Sequence, residues 1–195
     1  MTVAASLRRI RDRLAEAGVE SPEAEAYLML SALLGRSRSE LLLERERQLG
    51  EDERATLRRW LARRAAREPL QHILGTAHFY GLELTVTPEV LIPRPETERL
   101  VELALGWARE LAAPRILDVG TGSGAIALAL KHERPTAQVW GSDLSASALE
   151  LAALNAERLD LAIELRHSDL LKAPEVAGFA RHADLLVSNP PYLPA

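Results

Sequence analysis

RILDVGTGSGAIALAL, residues 115 to 130, reads as a strand from Arg115 to Val119, a loop holding Gly120, Gly122 and Gly124, and a helix from Ala125 to Lys131. Glycine at these places permits a tight turn and the close approach of a ligand's backbone or sugar. The helix that follows presents free N–H groups to the same spot. Working outward, Gln138 to Asp143, Ala162 to His167 and Asp184 to Ser188 read as further strands, and Ala146 to Leu159 as a helix. Leu171 to His182 carries no decisive period. Strand and helix alternating in this way imply right-handed crossovers and a parallel sheet, an α/β fold of the Rossmann-like kind.

The loop fits GxGxG and, counted with Ala125, also the dinucleotide pattern GxGxxA, so its neighbours must say what it binds. Asp143 closes the second strand about 20 residues after the loop, where a carboxylate accepts hydrogen bonds from both ribose hydroxyls. Asp118, just ahead of the glycines, either positions the loop or approaches the positively charged amino-acid part of a sulfonium cofactor. A pyrophosphate would be repelled there, which tilts the reading toward S-adenosyl-L-methionine. Asp169, after the third strand, stands where the adenine amino group is expected. The plainer reading is that Asp143 and Asp169 cap the turns after their strands.

The fourth strand runs into Asn189-Pro190-Pro191-Tyr192. Parallel strands deliver their C-terminal ends to the ligand crevice, so Asn189 faces the rim that carries the glycine loop. The prolines fix φ and supply no N–H, which leaves the Pro190 carbonyl free to accept a proton from a ligand. A planar NH2 group has a delocalised, weakly nucleophilic lone pair and must be oriented before it can attack. The Asn189 side-chain oxygen and the Pro190 carbonyl are suited to accept its two hydrogens, and Tyr192 to stack on its plane. Alternatively, the four residues form only a strand-terminating turn.

Ahead of residue 75 the pattern is helical throughout. Leu7, Ile10 and Leu14 recur at helical spacing, Ser21-Pro22-Glu23 opens a helix that Gly35 stops, a shorter helix follows Ser39, and EDERATLRRWLARRAAREP makes another, closed by Pro69. HFYGLELTVTP then suggests a hairpin, and LIPRPETERLVELALGWA opens a helix at Pro95. The expected division is a helical bundle for substrate recognition over residues 1–74, a hairpin linker over 75–92 and a cofactor-binding domain over 93–195.

Composition narrows the function classes. The 195 residues are 47% hydrophobic and 27% charged, ordinary for a soluble globular protein, with no apolar stretch near the roughly 20 residues of a membrane span. MTVAASLRRIRDRL lacks the apolar centre of a secretory signal, and without cysteine there is neither disulfide nor thiolate chemistry. A cytoplasmic location is expected. The net charge is −4, with 14 arginines against 12 acids in residues 1–75 and 10 basic residues against 16 acids in the remainder. That balance lacks the basic excess of a duplex-binding protein, so no direct nucleic-acid binding is expected. His72, His78, His132, His167 and His182 are scattered without metal-ligand spacing, and no metal is expected.

DVGTGSG at 118–124, the acid at Asp143 and NPPY at 189–192 are similar to the motifs of class I S-adenosylmethionine-dependent methyltransferases acting on amino groups, which include DNA adenine, rRNA guanine and protein glutamine enzymes. With PLQHILG at 69–75 and LIPRPETE at 91–98 behind a helical bundle, the whole chain resembles more narrowly the release factor glutamine methyltransferases, the PrmC or HemK family. That resemblance implies N5-methylation of the glutamine in the GGQ motif of class 1 peptide-chain release factors. It implies cofactor contacts at Gly120, Thr121, Gly122, Ser123, Gly124, Asp143, Leu170 and Asn189, and a glutamine held by Asn189, Pro190, Pro191 and Tyr192. It also implies a bundle that helps hold the release factor, with LIPRPETE near the active-site mouth. Many members carry a bulkier aromatic where Leu170 stands. Members also continue past NPPY with strands and helices that complete a seven-stranded sheet, so the chain is expected to be a piece of a longer enzyme, truncated after its fourth strand, weak in cofactor binding and turnover. A DNA or rRNA methyltransferase, a noncatalytic binding module and an NAD-dependent enzyme are the alternatives.

Overall fold

The computed structural model describes residues 1–190, and these divide into two units, Met1–Gly75 and the part from Thr76 onward. The first unit contains α1 (Val3–Glu16), α2 (Pro22–Leu34), α3 (Arg38–Leu43), α4 (Glu51–Ala65) and α5 (Leu70–Leu74). Helix ends follow local chemistry. Thr2 Oγ1 accepts from the Ala5 N–H, Pro22 occupies the first turn of α2, where a missing N–H costs nothing, and Gly35 ends that helix in the left-handed conformation. Ser37 and Glu40 cap α3 reciprocally, so that helix starts behind Ser37 rather than after Ser39. Ile10, Leu14, Met29, Leu30, Leu41 and Leu57 fill the core, each burial stabilising by on the order of 1.5–3 kcal/mol. Arg64 on α4 grips Glu25 on α2 through two bonds of 2.6 and 2.9 Å. The α5 helix has no counterpart in the sequence reading. Five residues are too few to show a period, and burial of Leu70 and Ile73 holds them.

The second unit opens with β1 (Thr76–Phe79) and β2 (Leu82–Thr85), an antiparallel hairpin in which Phe79 faces Leu82. Its two turn residues, Tyr80 and Gly81, both take positive φ, 48° and 77°, as a type I′ turn requires. Phe79, Leu82 and Leu84 join the core beneath α6 (Pro95–Trp107) and α7 (Ala125–Glu133). Between and beyond these come β3 (Arg115–Val119), β4 (Gln138–Asp143), α8 (Ala146–Arg158), β5 (Glu164–His167), α9 (Pro174–Ala180) and β6 (Leu185–Ser188). The third sheet strand therefore begins at Glu164 rather than Ala162, and α9 lies in the stretch without a decisive period.

The four strands pair in the order β5-β4-β3-β6, all parallel, with Ile116 opposite both Val139 and Leu185. Side chains alternate across β3. Ile116 enters the core with α6, α7 and the hairpin, while Leu117 and Val119 pack with Val176 and Phe179 of α9 on the other face. This is a doubly wound arrangement, and it sends the ends of β3, β4 and β6 to one edge. Among the described residues β6 is an edge strand: Val187 is buried, but Leu186 is 48% exposed.

Gly141, in the middle of β4, has no room for a side chain. A Cβ there would lie 2.9 Å from both Leu165 Cδ2 and Thr121 Oγ1. Gly141→Ala is expected to lower unfolding free energy by about 1–3 kcal/mol, the usual cost of overpacking a core, as read by urea denaturation.

Candidate functional site

At the carboxyl ends of β3, β4 and β6 lies a cleft of about 420 Å³ lined by Gly120, Gly122, Asp143, Asp169, Leu170 and Asn189, among others. The loop that forms its floor turns through positive φ at Gly120 (76°), Gly122 (55°) and Gly124 (81°), a course that any side chain would strain. Three of its donors are taken up by the end of β4, and Gly124 N donates within the loop to the Thr121 carbonyl at 2.9 Å. The Ser142 carbonyl accepts from Gly120 N and Thr121 N at 2.8 and 2.9 Å, and Asp143 Oδ2 accepts from Gly122 N at 2.9 Å. Asp143 Oδ1 accepts from Ser145 N at 2.9 Å, at the start of α8. Both carboxylate oxygens keep further lone pairs for a ligand. Gly124 is a packing position instead: a Cβ would come within 3.1 Å of Leu128 and 3.2 Å of Ala152.

Asp118 does not line the cleft. It is fully buried behind the loop, where Oδ2 accepts the Thr121 hydroxyl at 2.7 Å and Oδ1 has no hydrogen-bond partner. Burial pushes its carboxyl up to about 6, opposed by the bond from Thr121 and the nearby Ala127 N–H and reinforced by the charge of Asp143. Of the two roles open to Asp118 in the sequence, the contacts it makes are those of loop positioning. Thr121, Ser123 and Gly124 likewise belong to the loop's framework and not to the cleft surface.

The far wall comes from the loop after β5. Asp169 is exposed and pairs with Lys172, while Leu170 is 65% exposed at φ 53°. That strained turn is stapled by Ser168, whose hydroxyl donates to the Leu170 carbonyl at 2.7 Å and accepts from Ala173 N at 3.1 Å. Asn189, after β6, donates from Nδ2 to Thr97 Oγ1 on α6 at 3.1 Å. Its oxygen is thereby left for another donor. Pro190 is exposed beside it at the cleft. Pro191 and Tyr192 lie outside the described residues.

Leu144 escaped the sequence reading, whereas Leu91 and Thr97 belong to the LIPRPETE segment expected near the active-site mouth. Leu91 and Leu144 are 54% and 63% exposed and, with Leu170, give the cleft an apolar rim. The place of Leu144 directly after Asp143 was the available signal for it. Within LIPRPETE nothing local singles out Thr97 itself, because its partner is 92 residues away. A larger groove of about 990 Å³ in the bundle is lined by Arg9, Arg54, Arg58 and apolar residues of α1 and α4, without convergent polar groups around a glycine loop. Among the described residues no cluster could hold a metal ion and no helix is long and apolar enough to cross a membrane.

Residues 5–75 match the PrmC N-terminal domain and residues 103–194 the methyltransferase small domain. The chain is 47% identical to a release factor glutamine methyltransferase of Deinococcus radiodurans, over 93% of its own length and 64% of the relative's. It is 43% identical to one of Koribacter versatilis, over 99% of its own length and 68% of the relative's. It thus spans about two thirds of the curated relatives it matches. A solved T. thermophilus 16S rRNA N2 G1207 methyltransferase aligns at 24% identity and TM-score 0.49, over 60% of this chain and 32% of that one, too partial a match to bear on function.

Asp118 gives the fold a pH signature. Its carboxyl rises from 3.8 to about 6 on folding, so its proton is held more tightly in the native state. Stability from this group is full below about pH 4 and is lost as the pH rises through 6, on the order of 3 kcal/mol. Asp118→Asn, which keeps an acceptor for Thr121 but does not titrate, is expected to abolish that part of the slope. Urea unfolding of both proteins at pH 4 and pH 7 measures the difference.

Proposed function

The chain belongs to the release factor glutamine methyltransferase family, and from that membership and the cleft we propose that the protein transfers a methyl group from S-adenosyl-L-methionine to the side-chain amide nitrogen of the glutamine in the GGQ motif of class 1 peptide-chain release factors. The observation that carries the reading is the meeting of the glycine loop, Asp143 and Asn189 at a single cleft. The donor set suits a nucleoside with a cationic tail: carboxylate lone pairs at Asp143 for ribose hydroxyls, a loop without side chains, and a leucine rim for a flat base. Bound there, S-adenosylmethionine supplies an electrophilic methyl group on a sulfonium.

The chain's own residues then have to orient a poor nucleophile. With Asn189 Nδ2 donated to Thr97, its Oδ1 accepts one hydrogen of the glutamine amide, and the Pro190 carbonyl accepts the other. The amide plane is thereby fixed, and the nitrogen lone pair, perpendicular to it, is aimed toward the methyl carbon. Transfer would leave the sulfur as a neutral thioether and the nitrogen with one proton in excess, which its hydrogen-bonded acceptor would pass to water. The catalytic contribution is orientation and electrostatics, with no covalent enzyme intermediate. Tyr192 and Pro191 take their part, stacking on and bracing the amide, from the motif alone.

In the same reading residues 1–74 form the recognition bundle for the release factor, 75–92 the link and 93–195 the catalytic domain. The protein would work in the cytoplasm, without nucleic acid or membrane as partner. A DNA or rRNA amino-group methyltransferase is the competing enzyme reading, and the family membership disfavours it.

Given S-adenosylmethionine and a class 1 release factor, the complete protein is expected to add one methyl group to the GGQ glutamine by peptide mass spectrometry. Methylation of a nucleic acid with none on the release factor would reassign the substrate. Asn189→Ala is expected to slow transfer by about two orders of magnitude, the usual loss of a transition-state hydrogen bond. Its affinity for the cofactor by calorimetry should change little.

A further inference from the structure

Asn155 on α8 is 1% exposed and lines no part of the cleft, yet three hydrogen bonds converge on it. Its Oδ1 accepts from the Thr85 N–H at 2.7 Å, and its Nδ2 donates to the carbonyls of Thr85 and Ser123, both at 3.0 Å. The amide can be oriented only one way, because the Thr85 N–H cannot accept and the two carbonyls cannot donate. The bonds to Thr85 reproduce the reciprocal pair that a neighbouring strand would offer the last residue of β2. The third bond reaches into the glycine loop.

These two attachments lead to different walls. Downstream of Thr85 the chain runs to Glu89, Val90 and Leu91, which line the cleft, and Val90 is buried against Ala148 and Leu151 of α8. Ser123 belongs to the loop that forms the floor. Arg158, one turn beyond Asn155, holds the same strand through the Thr85 hydroxyl and lies 3.6 Å from Glu83. A buried amide is costly unless every group is paired, and asparagine is a poor helix former among the alanines and leucines of α8. Here all three bonds are made, and they go to residues 70 and 32 positions away in the chain.

We propose that Asn155 is a positioning residue that sets the spacing between the Glu89–Leu91 wall and the glycine loop, and through it the affinity of the cleft for S-adenosylmethionine; this rests on the cofactor reading given above. The test uses Asn155→Asp, nearly equal in size but without the two donors, alongside Asn155→Ala. Val176→Ala, a buried truncation on the opposite face of the sheet, serves as the purely structural control. In the protein without cofactor, hydrogen exchange is expected to quicken at least tenfold over residues 85–91 and 120–125 in both Asn155 variants, while β4 and α9 keep wild-type protection. Calorimetry is expected to show S-adenosylmethionine binding at least tenfold weaker in the Asn155 variants and within twofold of wild type in Val176→Ala. Wild-type exchange at those two segments, exchange raised evenly through the unit as in the control, or undiminished cofactor affinity would overturn the proposal. If the wild-type protein takes up no S-adenosylmethionine, the cofactor reading fails while the exchange pattern still decides the role of Asn155.

Discussion

The end of β4 has to satisfy a loop that cannot satisfy all of its own N–H groups. Between β3 and α7 the backbone turns through three left-handed glycines, and a loop of that shape has no regular ladder for its N–H groups. The Ser142 carbonyl and the Asp143 carboxylate accept three of them. The same Asp143 accepts from Ser145 at the start of α8. An unpaired buried N–H costs about 1–3 kcal/mol, so strand pairing, loop shape and helix start are tied into one arrangement. The cleft is the outer surface of that arrangement.

The three acids of this region differ because their surroundings differ. Asp118 is sealed behind the loop, with one oxygen on Thr121 and the other unpartnered, and desolvation raises its carboxyl to about 6. Asp143 is half-buried, bound to two backbone N–H groups and open to the cleft. Asp169 is exposed beside Lys172. Distance from solvent thus separates a residue that holds the loop from one able to do so while also meeting a ligand. A similar division holds for amides: Asn155 spends every hydrogen bond on the fold, whereas Asn189 spends one on Thr97 and keeps its oxygen for the cleft.

Much of this was readable along the chain because it depends on neighbours. A strand followed by closely spaced glycines and an apolar helix can be recognised from the residues themselves, and so can the capped helices of the bundle and the strand that ends at Asn189. Boundaries slipped where a period was short or competing caps were near, as with β5, α3 and the unnoticed α5. A role stayed open where burial mattered: Asp118 is sealed behind the loop on Thr121, and nothing in DVGTGSG chooses between its two possible roles.

The sequence by itself determined the alternation of strands and helices, the glycine loop, the acids after the strands and the family resemblance, since each depends on spacing and on residue type at fixed local offsets. Only the tertiary structure decided which of those residues share a cleft, which are buried behind it, and which side chains distant in the chain, Thr97 and Asn155 among them, hold it in shape. The reason is that a hydrogen bond between residues 70 or 92 positions apart leaves no local pattern and arises only once parallel packing has brought the segments together.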